Sequence, residues 1–167
     1  MTTKKVFKIF WAWQDSNEEV WLNQMAKEGW ALRSYKYLYT FDKAEPDNYI
    51  YKLDYKANKD DDLDEYKMIF QDAGWEYVTR YGDWHYFRTL ATEDTSPEIY
   101  TECEYKIEKY NSLLSNLTAA LIALIVFAII GLTTYQSPLL FGIFLSLLSI
   151  ISVCIFKVKQ KINRLRE

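Results

Sequence analysis

The sequence predicts an α+β domain followed by a hairpin of two membrane-crossing helices, and three observations carry that prediction. All six Trp and thirteen of the fourteen Tyr lie before residue 111, whereas nothing charged occurs from Asn111 to Phe156. Within the aromatic part, one order of elements recurs at a spacing of 45 residues. Charge divides in the same place: residues 1–110 hold 15 Lys and Arg against 22 Asp and Glu, while residues 157–167 hold five basic groups and one acid.

The elements follow in chain order. Residues 5–13, KVFKIFWAW, alternate so that Phe7, Ile9, Trp11 and Trp13 share a face, the period-two mark of a strand. A helix over about 17–28 comes next. Ser16 with Glu19 forms a capping box, Trp21, Leu22, Met25 and Ala26 make an apolar stripe, and Gly29 stands at the left-handed C-cap. In WALRSYKYLYTF (30–41) the residues Tyr35, Tyr37, Tyr39 and Phe41 share a face, and DKAEPDN turns the chain into YIYKLDYK (49–56), so these two strands read as a hairpin. NKDDDLDEY starts a second helix capped by Asp61 or Asp62, with Leu63, Tyr66, Ile69, Phe70 and Ala73 as its stripe and Gly74 at its end. The last strand runs through AGWEYVTRYGDWHYF, where Gly82-Asp83 either bends it or turns a small hairpin.

The two halves align as Ser16 with Asp61, Trp21 with Tyr66, Met25 with Phe70, and Gly29-Trp30 with Gly74-Trp75. Two βαβ-type repeats in series give βαββαβ, an order that suits a four-stranded antiparallel sheet with both helices on one face, the ferredoxin-like arrangement. The sheet face left open would present aromatic rings, and Tyr37, Tyr39, Tyr51 and Trp84 are the binding candidates on it.

From Leu113 to about Thr133, LLSNLTAALIALIVFAIIGLT is long enough to cross a bilayer; TYQSP breaks it, and PLLFGIFLSLLSIISVCIF (138–156) is long enough to cross back. Lys106 and Lys109 precede the first span, Lys157, Lys159, Lys161, Arg164 and Arg166 follow the second, and the connecting loop has no basic residue. Both termini are therefore expected on the cytoplasmic side of a cell membrane. Small residues Ala119, Ala123, Ser146, Ser149 and Ser152 are expected to let the helices approach. Ser96-Pro97 starts a juxtamembrane helix whose stripe, Ile99, Cys103, Ile107, Tyr110 and Leu114, continues into the first span. The organisation expected is an aromatic domain over 1–90, a linker and helix over 91–112, the hairpin over 113–156 and a basic tail over 157–167, which also suits anionic headgroups.

Catalytic and metal chemistry find no support in these residues. His85 has no second His, CxxC or HExxH beside it and reads as a strand residue, so neither a metal nor another cofactor is expected. There is no GxSxG elbow and no glycine-rich phosphate loop. Five acids in the six positions Asp60 to Glu65 lack calcium-loop spacing and suit a helix N-terminus. An acidic domain without basic residues in a GFGF-like segment is not expected to bind nucleic acid.

FKIFWAW, EEVWLNQMAKEGW, YTFDKAEPDNYIYKLDY, DEYKMIFQDAGWEYV, GDWHYFR and YTECEYKIEKYNSLL, in that order over roughly residues 5–115, resemble the bacterial DUF2812 family. That resemblance implies a domain of unknown function followed by membrane helices, found mostly in Gram-positive bacteria and often encoded beside PadR-like transcriptional regulators. It carries over no catalytic or binding residues. The function expected is a membrane-anchored cytoplasmic protein-interaction module, a non-enzymatic accessory or sensor subunit that binds a protein partner or itself. The alternative is a small-molecule-binding membrane sensor linked to a PadR-like regulator.

Overall fold

Along a computed structural model that describes residues 2–46, 48–56, 63–91, 103–135 and 137–166, the aromatic part repeats one pattern: strand, helix, then two strands. The first copy is β1 (Thr3–Val6), α1 (Asp15–Lys27), β2 (Trp30–Lys36) and β3 (Leu38–Lys43). The second is β4 (Tyr49–Tyr55), α2 (Leu63–Asp72), β5 (Glu76–Tyr81) and β6 (Trp84–Leu90). Each copy forms its own three-stranded antiparallel sheet, in the orders β1-β3-β2 and β4-β6-β5. The α+β class and the repeat hold, and two sheets stand where one four-stranded sheet was expected.

The difference begins at Tyr37. The run 30–41 does not continue as one strand, because Tyr37 takes a left-handed φ of 66° and folds it into the β2–β3 hairpin. No Gly, Asn, Asp or Pro marks that turn; Tyr35 and Tyr39 stack across it with centroids 4.0 Å apart and planes 3° apart. Residues 49–56 are thereby released from the expected hairpin and pair with β6. Of the two outcomes open for Gly82-Asp83, the hairpin forms, with Gly82 at φ 58°. Tyr37 and Gly82 are 45 residues apart, as are the bulges between Leu32 and Ser34 and between Tyr77 and Thr79.

The spacing changes at the first strands. Lys4 faces Phe41 while Leu53 faces Tyr86, so β1 and β4 are 49 residues apart although β3 and β6 remain 45 apart. Four additional residues therefore lie between β1 and α1. The strand expected over 5–13 stops at Val6, and the alternation of Phe7 to Trp13 belongs to a loop. That loop closes on itself where the Trp11 N–H donates to Gln14 Oε1 (3.0 Å) and the Gln14 N–H to the Trp11 carbonyl (2.7 Å). Consequently α1 starts at Asp15 with Gln14 as its N-cap and no side-chain cap bond.

Helix α1 packs against strands of both sheets. Its Leu22, Met25 and Ala26 share one core with Leu32 and Phe41 of the first sheet and Tyr51, Leu53 and Tyr86 of the second. The Glu19 carboxylate, expected in a capping box, instead accepts the Leu53 N–H (3.0 Å) and pairs with Lys52 (3.0 Å), while Asn23 Oδ1 accepts the Tyr51 N–H (2.7 Å). These side chains satisfy the outer edge of β4 where a further strand would otherwise pair. A second cluster, Tyr66, Phe70, Trp75 and Phe87, joins α2 to the other sheet.

Gly29 (φ 80°) and Gly74 (φ 83°) end the two helices as the sequence predicts. The Trp75 N–H donates to the Phe70 carbonyl (2.9 Å), and its ring is buried against the last turn of α2. The cap assigned to Asp61 or Asp62, the acids 60–62, and the helix start at Ser96-Pro97 with Ile99 lie outside the described residues.

The chain divides into two compact units, Met1–Glu102 and Cys103–Glu167. In the second, α3 (Cys103–Tyr135) runs from the juxtamembrane residues through the first apolar stretch without a break, and α4 (Pro138–Arg166) returns. Both helices are long and apolar enough to cross a membrane. Their seam has heptad spacing: Tyr110, Leu117, Leu124 and Gly131 alternate with Leu114, Leu121 and Ala128 on α3, against Phe144, Ile151 and Val158 on α4. The small residues expected at this contact face outward. Ala119, Ala123, Ser146, Ser149 and Ser152 are exposed, the three serine hydroxyls donating to carbonyls of their own helix, because a leucine-rich seam already fills the space. Gly131 marks a close approach, where a Cβ would meet the Phe144 ring at 3.1 Å.

The two capping glycines separate backbone strain from crowding. At Gly74 an added methyl meets nothing within 4 Å, so Gly74→Ala is expected to cost about 1 kcal/mol, the left-handed strain alone. At Gly29 it would lie 2.8 Å from the Ala44 carbonyl oxygen, and Gly29→Ala is expected to cost clearly more. Urea unfolding of the detergent-solubilised chain, followed by Trp emission, measures both, since every Trp belongs to the first unit.

Candidate functional site

The additional residues of the 7–14 loop wall a cavity of about 200 Å³ in the first unit. Phe10, Trp11 and Ala12 supply one side, Asp15 and Glu18 enter from the first turn of α1, and Tyr35 and Tyr39 come from the first sheet. Leu53, Tyr81, Trp84 and Tyr86 complete it from the second. Seven of the eleven lining residues are aromatic, two are acids and none is basic. A cavity of roughly 150 Å³ holds benzene, so this one has room for a single ring with a short substituent.

Glu18 is the polar centre of the lining. Although only 7% exposed, it faces the same side of α1 as Leu22, Met25 and Ala26. Its Oε1 accepts the hydroxyls of Tyr39 and Tyr86, each at 2.7 Å, so one carboxylate oxygen joins the two sheets. Burial raises the carboxyl pKa above its ordinary value; the two tyrosine bonds oppose the shift, and neighbouring Asp15 and Glu19 add to it. Burial, and then the Glu18 charge, push both phenols well above the usual tyrosine range. Asp15, 3% exposed, is the second acid of the lining.

The four binding candidates occupy different places. Tyr39 and Trp84 meet at this cavity. Tyr51 is 1% exposed, and its hydroxyl accepts the Leu32 N–H at 3.1 Å in the core. Tyr37 is 75% exposed at the β2–β3 turn, its ring 5.8 Å from that of Tyr81. One open aromatic face is thus not what they make: two separate sheets and α1 between strands of both turn Tyr39 and Tyr51 inward. Asp15, Glu18, Phe10, Trp11, Tyr35, Tyr81 and Tyr86 were not among the candidates. Glu18 had a signal, since it precedes Leu22 by four positions and Met25 by seven, which places a carboxylate on the apolar stripe.

His85 is a buried strand residue, as expected, with Nε2 3.3 Å from the Lys56 carbonyl and its ring 5.0 Å from that of Tyr66. It stands opposite Asp54 in register, and the Tyr66 hydroxyl donates to Asp54 Oδ2 at 2.7 Å. Burial lowers the His85 pKa, favouring the neutral ring. Among the described residues no three His, Cys, Asp or Glu side chains are grouped to hold a metal ion.

Glu18 makes two expectations testable. Glu18→Gln keeps an oxygen for both tyrosine hydroxyls and is expected to fold. Above its ordinary pKa and up to the raised folded value, the native carboxyl holds a proton that the unfolded chain releases, so stability falls as pH rises through that interval. Glu18→Gln flattens this slope, as read from urea midpoints over a pH series. Glu18→Ala leaves two buried hydroxyls without their acceptor and is expected to cost about 3 kcal/mol in the same assay.

No curated protein and no solved structure matches the chain significantly. The family model described as "Protein of unknown function (DUF2812)" matches residues 14–122, from the residue before α1 to the middle of α3. With well over half its length matched in this way, the chain belongs to the DUF2812 family.

Proposed function

We propose that this protein is a membrane-anchored sensor whose first unit binds a small molecule in the cavity between α1, the 7–14 loop and the two sheets. The observation that carries the reading is the lining itself: apolar rings around a few convergent polar groups are what small-molecule sites require. The hairpin of α3 and α4 crosses the cell membrane, as supported by outward apolar residues such as Phe127 (66% exposed) and Leu139 (74%). Lys and Arg near the ends of the helices, with none in the connection, support termini on the cytoplasmic side.

Protein contact is the second reading, and the 7–14 loop favours it. Phe7 and Ile9 are 69% and 65% exposed on the same loop that turns Phe10 and Trp11 to the cavity. A ligand against Phe10 and Trp11 would shift what Phe7 and Ile9 offer to a regulatory partner.

Topology is checked by placing one thiol at the connection. In a chain with Cys103 and Cys154 replaced by Ser, a membrane-impermeant maleimide applied to intact cells is expected to label Ser137→Cys and to spare Lys159→Cys. Labelling of Lys159→Cys would overturn the proposed orientation.

A further inference from the structure

The lining of the cavity also selects by charge. We infer that its ligand is a small organic cation, an ammonium carried on an apolar body, held by the Glu18 carboxylate with the aromatic rings as walls; this rests on the small-molecule reading above. Three observations converge. Two acids, Asp15 and Glu18, each more than nine-tenths buried, line a space to which no described basic residue contributes. A carboxylate out of water is costly, and an incoming ammonium would stand against Glu18, whose charged neighbours Asp15 and Glu19 are themselves acids.

The walls carry the same polarity as an anion and so favour a cation. Aromatic faces are negative and attract cations within about 6 Å of the ring centroid. The rings beside the cavity already do this with the protein's own ammonium groups: Lys8 Nζ lies 5.1 Å from the Phe10 centroid and 4.5 Å from that of Trp21. Phe10 is itself part of the lining.

Glu18 is also held in position for the task. Its Oε1 is fixed by Tyr39 and Tyr86 from two different sheets, so the carboxylate is oriented before any ligand arrives. Entry of an ammonium favours the ionised carboxylate, so affinity should rise as pH rises through the folded pKa of Glu18. The groups around it that bear on this titration are Asp15 and Glu19 on α1, Tyr39 on β3 and Tyr86 on β6.

The test uses three probes of one shape and different charge. Benzylamine, benzyl alcohol and benzoate are titrated into the full-length chain in detergent, following Trp emission, because Trp11 and Trp84 line the cavity. Benzylamine is expected to quench saturably and to bind about ten-fold or more tightly than the alcohol, with benzoate weakest. Glu18→Gln, which keeps an oxygen for the tyrosine hydroxyls, is expected to abolish the preference for the amine over the alcohol. Equal binding of amine and alcohol to the natural chain would overturn the cation assignment and leave the small-molecule site standing. Saturable quenching by none of the three would overturn both. The comparison among probes needs no variant, so it holds even if the substituted chain fails to fold.

Discussion

One carboxylate oxygen receives two tyrosine hydroxyls from two different sheets, and the arrangement of the first unit depends on it. Three antiparallel strands need a partner layer to be stable. Helix α2 packs on the second sheet, and α1 packs on strands of both. Leu22, Met25 and Ala26 enter the shared core, Glu19 and Asn23 accept the N–H groups of Leu53 and Tyr51 on β4, and Glu18 reaches Tyr39 and Tyr86. A helix that belongs by sequence to the first repeat thus protects an edge of the second.

The cavity follows from a departure from symmetry. A 45-residue spacing relates the turns, bulges and helix ends of the two repeats, and four additional residues before α1 interrupt it. Those residues fall in the segment that carries Phe10, Trp11 and Ala12 to the lining. The position 45 residues after Glu18 is Leu63, an apolar residue at the start of α2. Loop and carboxylate are therefore both particular to the first repeat. The repeated order forms the frame, and its interruption before α1 walls the cavity.

Much of this was legible in the sequence. Helix ends at Gly29 and Gly74 need a left-handed residue, which glycine announces locally, and the position of Trp75 against its helix follows from the same motif. An uncharged run of two helix lengths announces itself in the same way. The turn at Tyr37 has no such sign, because nothing in a tyrosine announces left-handed backbone; the flanking residues Tyr35 and Tyr39 stack across the turn instead. Without that turn, 49–56 reads as the partner of 30–41, and Tyr39 and Tyr51 read as residues of an open face, whereas both are buried. The loop 7–14 alternates as a strand does, and only its bonds between Trp11 and Gln14 show otherwise. In the hairpin, serine suggested close helix approach by composition, whereas the heptad of Leu114, Leu117, Leu121 and Leu124 was present throughout as the better guide.

That seam does not stop where the charges begin. Val158 and Ile162 on α4 and Tyr110 on α3 are buried at its charged end, and Lys161 lies 4.8 Å over the Tyr110 ring. Placed in a bilayer, helices packed together in this way would answer a change of thickness by leaning as a single body rather than by splaying apart, so that hydrophobic mismatch would be converted into an angle of inclination. Lipid thickness would thereby become a mechanical quantity at the ends of the two helices.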